Sequence, residues 1–213
     1  MTLAEIESEV RVHIRDVEKA KWTDAEVLAS INDGYMDISD YAEWNEKSIP
    51  IDIKDQNYYD LSELCDDQFL APRAIFNVQT NWWLEYTDPR DLDILTYWRW
   101  ETVNGQPLKQ SYRGLWWLSM FPKTTTGTVT LNWVGLPDPL SDPTDVPGFP
   151  AEFHWGLVEY ACYDLQSMIG ETDKALSHWV DYANEKEPLG FRERLRRYVN
   201  DRIRADRIYR MGG

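Results

Sequence analysis

Long apolar runs are missing from this chain of 213 residues: none approaches the roughly 18 consecutive apolar residues that a membrane-spanning helix needs. The opening stretch Met1-Thr2-Leu3-Ala4-Glu5-Ile6-Glu7 has neither the basic region nor the continuous apolar core of a secretory signal, so the chain is expected to be made in a cytosol and to have no membrane partner. Cysteine is scarce. Cys65 and Cys162 stand far apart and belong to no CxxC or Cys/His pattern, which predicts reduced thiols, with Cys162 buried in a helix. Of the three histidines, His13, His154 and His178, none falls in an HExxH pattern or beside a cysteine at zinc-ligand spacing, and each is expected on a helix surface or boundary. Gly105, Gly114 and Gly127 occur singly, without the glycine spacing that cradles a phosphate, and Ser119, Ser141 and Ser167 lack a GxSxG elbow. Asp138, Asp142 and Asp145 miss the ligand spacing of an EF-hand loop and suit turns and helix caps instead. No cofactor, metal site or catalytic constellation is therefore expected, and the chain reads as a non-enzyme.

Positive charge is also sparse, with 22 basic against 37 acidic side chains, and it is unevenly placed. Residues 188–213 hold eight arginines against three acids, while the remainder carries 14 basic and 34 acidic groups. A basic segment at the end of an anionic body reads as a docking element for a partner surface, the alternative being a solvated arginine face.

The chain contains enough apolar residues, 43%, for a sizeable core. Leu3, Ile6, Val10, Ile14 and Val17 predict an amphipathic helix over Leu3–Val17. Thr23 and Glu26 form a capping box, flanked by Trp22 and Val27 at staple positions, so a second helix should begin at residue 24 and bury Val27, Leu28, Ile31, Tyr35, Ile38 and Tyr41. From residue 47 the period shortens to two. Ser48–Ile53 alternates, with Pro50 favouring an edge strand, and further strands are predicted at Tyr58–Leu61, Ala74–Thr80, Trp82–Tyr86, Leu95–Val103, Leu108–Tyr112, Leu115–Phe121 and Thr128–Val134. Asn104-Gly105 suggests a two-residue hairpin turn and Lys123–Gly127 a second hairpin loop. Gly135–Pro150 is too rich in proline for a helix or central strand and is read as an extended linker.

A third helix should follow Pro150, with Phe153, Leu157, Tyr160, Ala161, Leu165 and Met168 on its apolar side; a fourth should cover Thr172–Lys186, with Ala175, Leu176, Trp179 and Val180 inward. In a last helix starting near Pro188, Phe191, Leu195, Tyr198, Val199, Ile203 and Tyr209 fall on one side, and Arg194, Arg196, Arg197, Arg204 and Arg207 on the other. The predicted architecture is α+β: a mainly helical bundle, α-α-β insertion-α-α-α, from residues 1–46 and 150–213, with a Trp-rich antiparallel β insertion over 47–134, a proline-rich linker over 135–149 and a long basic C-terminal helix.

Tryptophan is abundant, with eleven residues. Trp82-Trp83, Trp98, Trp100, Trp116-Trp117 and Trp133 lie in the β region, and neighbours along a strand face opposite sides, so both Trp-Trp pairs cannot point wholly into one core. Either both faces of the sheet are covered, or some indoles meet neighbouring subunits, another protein or a sugar ring.

The start Trp22-Thr23-Asp24-Ala25-Glu26-Val27 with Ile31-Asn32-Asp33-Gly34-Tyr35, the phrase Leu115-Trp116-Trp117-Leu118-Ser119-Met120-Phe121-Pro122, the Val129–Gly135 strand with its proline-rich exit and the helix from Phe149-Pro150-Ala151-Glu152 together resemble a tailed-bacteriophage head–tail adaptor. The resemblance implies a structural virion protein, made in the host cytoplasm and located at the head–tail junction. It further implies a ring of identical subunits, commonly about twelve, fixed under the portal protein and presenting a platform to tail or nozzle proteins. DNA would pass through the channel without specific binding. By this likeness Arg194, Arg196, Arg197, Arg204, Arg207 and Arg210 become portal-docking candidates, and Trp82, Trp83, Trp116 and Trp117 candidates for subunit or tail contact. An acidic lumen would repel phosphates, although acidic charge equally aids solubility. Two other classes remain open: a Trp-rich carbohydrate-binding or cell-wall-acting accessory module of a virion, and a DNA-binding protein using the terminal helix.

Overall fold

A computed structural model describes residues 1–66, 68–91 and 100–211. The chain divides into two units: residues 1–45 with 136–213, and residues 46–135. Within these residues the class is mixed α+β.

The first unit is built from helices α1 (Leu3–His13), α2 (Asp24–Ala42), α4 (Trp155–Met168), α5 (Thr172–Ala183) and α6 (Phe191–Met211). Both early helices open on complete capping boxes, Thr2 with Glu5 and Thr23 with Glu26. In each, the threonine side chain and the glutamate three residues on satisfy backbone donors that a helix N-terminus leaves unpaired. Trp22 and Val27 are both buried, as the staple requires.

α1 stops at His13, short of the expected Val17, because Asp16 organises the turn that follows. Its carboxylate accepts the backbone N–H groups of Ala20, Lys21 and Trp22 at 2.8, 2.9 and 3.0 Å. Buried Arg11 clamps the same turn, donating to Asp16 and to the Trp22 carbonyl at 3.2 Å each and to Asp24 at 2.6 Å. Val17 is left exposed.

α4 packs on α1, α2 and α5, and α6 packs on α2, α4 and α5. The α2–α4 approach is close enough that a Cβ on Gly34 would stand 2.7 Å from the Tyr160 ring, so a side chain there would force the helices apart. The proline-rich segment is sewn onto these helices. Asn32 binds both backbone groups of Leu140, at 3.0 and 2.8 Å, the Tyr35 hydroxyl accepts Gly148 N–H at 3.1 Å, and Leu3 N–H reaches the Asp145 carbonyl at 2.8 Å.

Pro150 precedes a 3-10 turn, Ala151–Phe153, that leads into α4. His154 stands at the helix boundary, as the N-cap residue of α4, and is buried, with Nε2 2.9 Å from the Phe149 carbonyl and Nδ1 2.8 Å from the Met1 ammonium. α5 is rotated from expectation. Ala175, Tyr182 and Ala183 are buried, with Trp179 half-buried, whereas Leu176 and Val180 are exposed. Tyr182 wins the inner face because its ring is large and its hydroxyl finds the Asp37 carboxylate within the packing. Met168, at the end of α4, is likewise exposed.

The second unit holds β1 (Glu46–Asp52), β2 (Tyr58–Asp60), a short α3 (Leu61–Leu64), β3 (Phe69–Asn77), β4 (Trp82–Trp83), β5 (Glu85–Tyr86), β6 (Lys109–Arg113), β7 (Trp117–Phe121) and β8 (Thr128–Gly135). They form two four-stranded sheets, β1-β8-β3-β4 and β2-β7-β6-β5. Pro50 sits on the edge strand β1, where a missing donor is tolerated. Pairing is antiparallel except between β5 and β6, which run parallel, so the all-antiparallel expectation is corrected. Ile51, Ile75, Val129, Leu131 and Trp133 of one sheet share a core with Tyr59, Leu118 and Met120 of the other.

Neither expected hairpin turn is one. Asn104 bridges Lys123 in parallel, and Lys123–Gly127 leads from β7 in one sheet to β8 in the other. Hairpins join β3 to β4 through residues 78–81 and β6 to β7 through Gly114-Leu115-Trp116, with Gly114 at φ +63°. The expected strand Leu95–Val103, with Trp98, lies largely outside the described residues; Trp100–Thr102 within it is a 3-10 turn.

Candidate functional site

The terminal helix begins where the backbone folds tightly on itself. Gly190 donates to the Asn184 carbonyl at 2.8 Å, and a Cβ there would lie 2.5 Å from the Tyr182 carbonyl oxygen, so only glycine fits without a shift. Leu195 is fully buried and Phe191 meets the α4 backbone at Gly156, where an added Cβ would be 2.9 Å from the Phe191 Cβ. Tyr198 contacts Phe153 with ring centroids 5.6 Å apart, and Val199 packs on the core margin.

The arginine side is less free than the helical wheel suggests. Arg192 stacks on the Tyr41 ring at 4.1 Å and reaches Asp37 at 3.4 Å. Arg196, expected opposite the apolar stripe, also lies over Tyr41, at 4.9 Å, and donates to its hydroxyl at 3.2 Å. That hydroxyl donates to Glu193 at 2.9 Å, and the other Glu193 oxygen accepts from Arg197 Nε at 3.1 Å. Arg197 also approaches Glu187 at 3.9 Å. Burial pushes the Glu193 carboxyl up, but Tyr41 and the Arg197 and Arg196 guanidiniums outweigh it and hold the group below the usual carboxylate range. Hydrogen bonding to Tyr41, with Glu193 nearby, holds Arg196 above its ordinary value. Arg194 is exposed and stacks on Phe191 at 4.1 Å; Arg204 is exposed. The side chains of Arg207 and Arg210 lie outside the described residues.

The arginines stand out in the sequence by charge, whereas nothing there marks Tyr41 as their partner. Its pairing with Glu193 spans 152 positions, which no local pattern reveals. Glu193 itself was legible as the carboxylate three and four residues before Arg196 and Arg197.

The four candidate tryptophans are all exposed, Trp82 68%, Trp83 39%, Trp116 37% and Trp117 48%, but they do not form one platform. Trp82 and Trp83 pair with Asn77 and Phe76 at the end of β3, while the Trp116 ring lies 6.1 Å from Phe69 at its start. At about 3.3 Å per residue those ends are roughly 25 Å apart. Trp133 is buried and stacked on Phe69.

Both cysteines are free and buried, and desolvation pushes Cys65 up to about 11 and Cys162, on α4, up to about 12. Neither thiol is therefore a ready nucleophile. Among the described residues no group of three His, Cys, Asp or Glu side chains is arranged to hold a metal ion, and no helix is long and apolar enough to cross a membrane.

A model of the SU10 adaptor protein family matches residues 1–207. The chain belongs to that family. The match runs through both units, so it takes in the β-rich residues 46–135 as well as most of the terminal helix. Membership bears out the likeness to a phage head–tail adaptor and places the chain among structural adaptor proteins of bacteriophages. Curated proteins yield no match.

Proposed function

We propose that the chain is a head–tail adaptor which forms a ring under the portal, joins the DNA-filled capsid to the tail and lines the DNA channel. The family match over residues 1–207 carries this reading. The ring has about twelve copies by likeness to other tailed-phage adaptors, and it performs no catalysis. The acidic body, 34 acidic against 14 basic groups outside residues 188–213, suits a channel that must not hold DNA.

Arg194, Arg196, Arg197, Arg204, Arg207 and Arg210 dock on acidic portal surface. Among the residues whose side chains are described, Val199 is the last of α6 packed on the core; the helix itself runs to Met211, and Arg204 is exposed. Trp82, Trp83, Trp116 and Trp117 meet neighbouring subunits or tail proteins, in two separate contacts.

Sedimentation of the purified chain with and without preformed portal rings tests the assignment. The chain alone is expected to run as a monomer and to assemble on the portal. Charge reversal at Arg204, Arg207 and Arg210 should abolish attachment while leaving helix content unchanged, and added salt should weaken it. Single exposed pairs contribute only about 0–1 kcal/mol, so the triple change is needed. Undiminished portal attachment by the folded triple variant overturns the docking assignment. Loss of DNA binding in that variant, with portal attachment retained, transfers the helix to nucleic acid.

A further inference from the structure

Charge alone would let the terminal helix attract any anion, but three of its guanidiniums are held in a frame. The Tyr41 ring carries Arg192 at 4.1 Å and Arg196 at 4.9 Å, and its hydroxyl accepts from Arg196 and donates to Glu193. Glu193 fixes Arg197 through Nε with its other oxygen, at 3.1 Å. The Glu193 side chain is only 15% exposed, whereas those of Arg196 and Arg197 are 50% and 54% exposed. A guanidinium has five N–H donors. The frame engages few of them, so the rest reach solvent from a fixed orientation.

We propose that Glu193, acting with Tyr41, is a positioning residue that pre-orients Arg196 and Arg197 for the carboxylates of an acidic protein partner. The inference rests on the docking reading above and adds to it how the site is made specific. A fixed guanidinium matches a carboxylate through two parallel N–H···O bonds, and holding it in advance removes ordering cost that binding would otherwise meet. Nucleic acid fits less well, because the remainder of the chain is strongly acidic.

Positioning and plain electrostatics predict opposite signs for Glu193→Gln. Removing a negative charge from a basic face should tighten binding to an acidic surface if charge alone counts; if Glu193 positions the arginines, binding weakens. The test uses the full chain and portal rings at fixed salt, with attachment measured for the unaltered protein, Glu193→Gln and Tyr41→Phe, and with the Arg197 Nε–H signal followed by NMR. Glu193→Gln is expected to weaken attachment about tenfold and to remove the ordered Arg197 signal, with helix content unchanged. Tyr41→Phe keeps the stacking ring, releases Arg196 and weakens attachment less.

Equal or tighter attachment by a folded Glu193→Gln variant overturns the positioning role while leaving portal docking in place. If Glu193→Gln does not fold, undiminished attachment by Tyr41→Phe overturns it instead. Failure of the unaltered chain to attach overturns the docking reading and this inference with it.

Discussion

The two units use the same residue types differently. In the helical unit the tryptophans are buried or half-buried and have partners: Trp44 donates to Ser39, Trp155 to Glu159, and Trp179 packs on Tyr163 and Tyr182. In the β unit Trp133 is enclosed, while Trp82, Trp83, Trp116 and Trp117 are exposed. Charged groups divide similarly. Arg11 and Arg192 are embedded in the helical unit, stacked or hydrogen-bonded on several sides. The ion pairs described in the β unit, Arg73 with Glu46, Lys109 with Glu85 and Lys123 with Asp55, each include an exposed acid. Both units bury an apolar core; the helical unit adds embedded arginines to it, and the β unit leaves four of its tryptophans at the surface.

The sharpest way to break this contrast is to remove one internal partner. Arg11→Met removes charge-assisted hydrogen bonds to Asp16, Asp24 and the Trp22 carbonyl, while Asp16 keeps its three backbone donors, and should destabilise the helical unit by about 2–4 kcal/mol. Leu195→Ala, which opens a cavity under α6, should cost about 2–5 kcal/mol. Thermal or urea unfolding measures both. A loss below about 1 kcal/mol for Arg11→Met would show the clamp to be ornamental and the contrast with the β unit false.

Local chemistry was readable and long-range choices were not. The Thr23–Glu26 box lies within four residues and was legible in full; the edge position of Pro50 follows from its missing donor. Periodicity gives the wrong inner face for α5, because it cannot tell that Tyr182 has Asp37 as a partner 145 positions away. Likewise, alternating strands do not say which sheet each joins, so Lys123–Gly127 looked like a hairpin although β7 and β8 part there. The site was half legible. The arginines stood out by charge, while the frame formed by Tyr41 depends on helices that meet only in three dimensions.

A smaller effect comes from His154. Burial, followed by the nearby N-terminal ammonium, lowers its pKa from the ordinary histidine value, while the carbonyl contact to Phe149 opposes this. The unfolded chain therefore takes up a proton near pH 6.5 that the folded chain resists, and stability falls as pH drops below that value. One proton limits the slope to about 1.4 kcal/mol per pH unit. Melting temperatures of the helical unit should fall between pH 7 and pH 5.5, and His154→Gln should be flatter over that range. Asp16, Asp24, Glu26 and Glu193 have lowered pKa values and so lose stability only in more acidic solution, which separates the two effects. Identical slopes in the two proteins would remove His154 from the account.

The smallest stability change is expected where the β unit is most exposed. Trp82→Ala removes an indole that is 68% exposed and should alter stability by less than about 0.5 kcal/mol, whereas Trp116→Ala loses contact with Phe69 and should cost about 1 kcal/mol. Their value lies in assembly. Because Trp82 and Trp116 mark opposite ends of β3, an assembled ring that covers one end need not cover the other. Acrylamide quenching should therefore fall on assembly in a way that Trp82→Ala and Trp116→Ala resolve separately. Polysaccharide quenching in the free protein that either substitution abolishes would favour a sugar-binding module. Quenching unchanged by assembly in the unaltered chain would leave the tryptophans outside every subunit contact and confine the working surface to the helical unit.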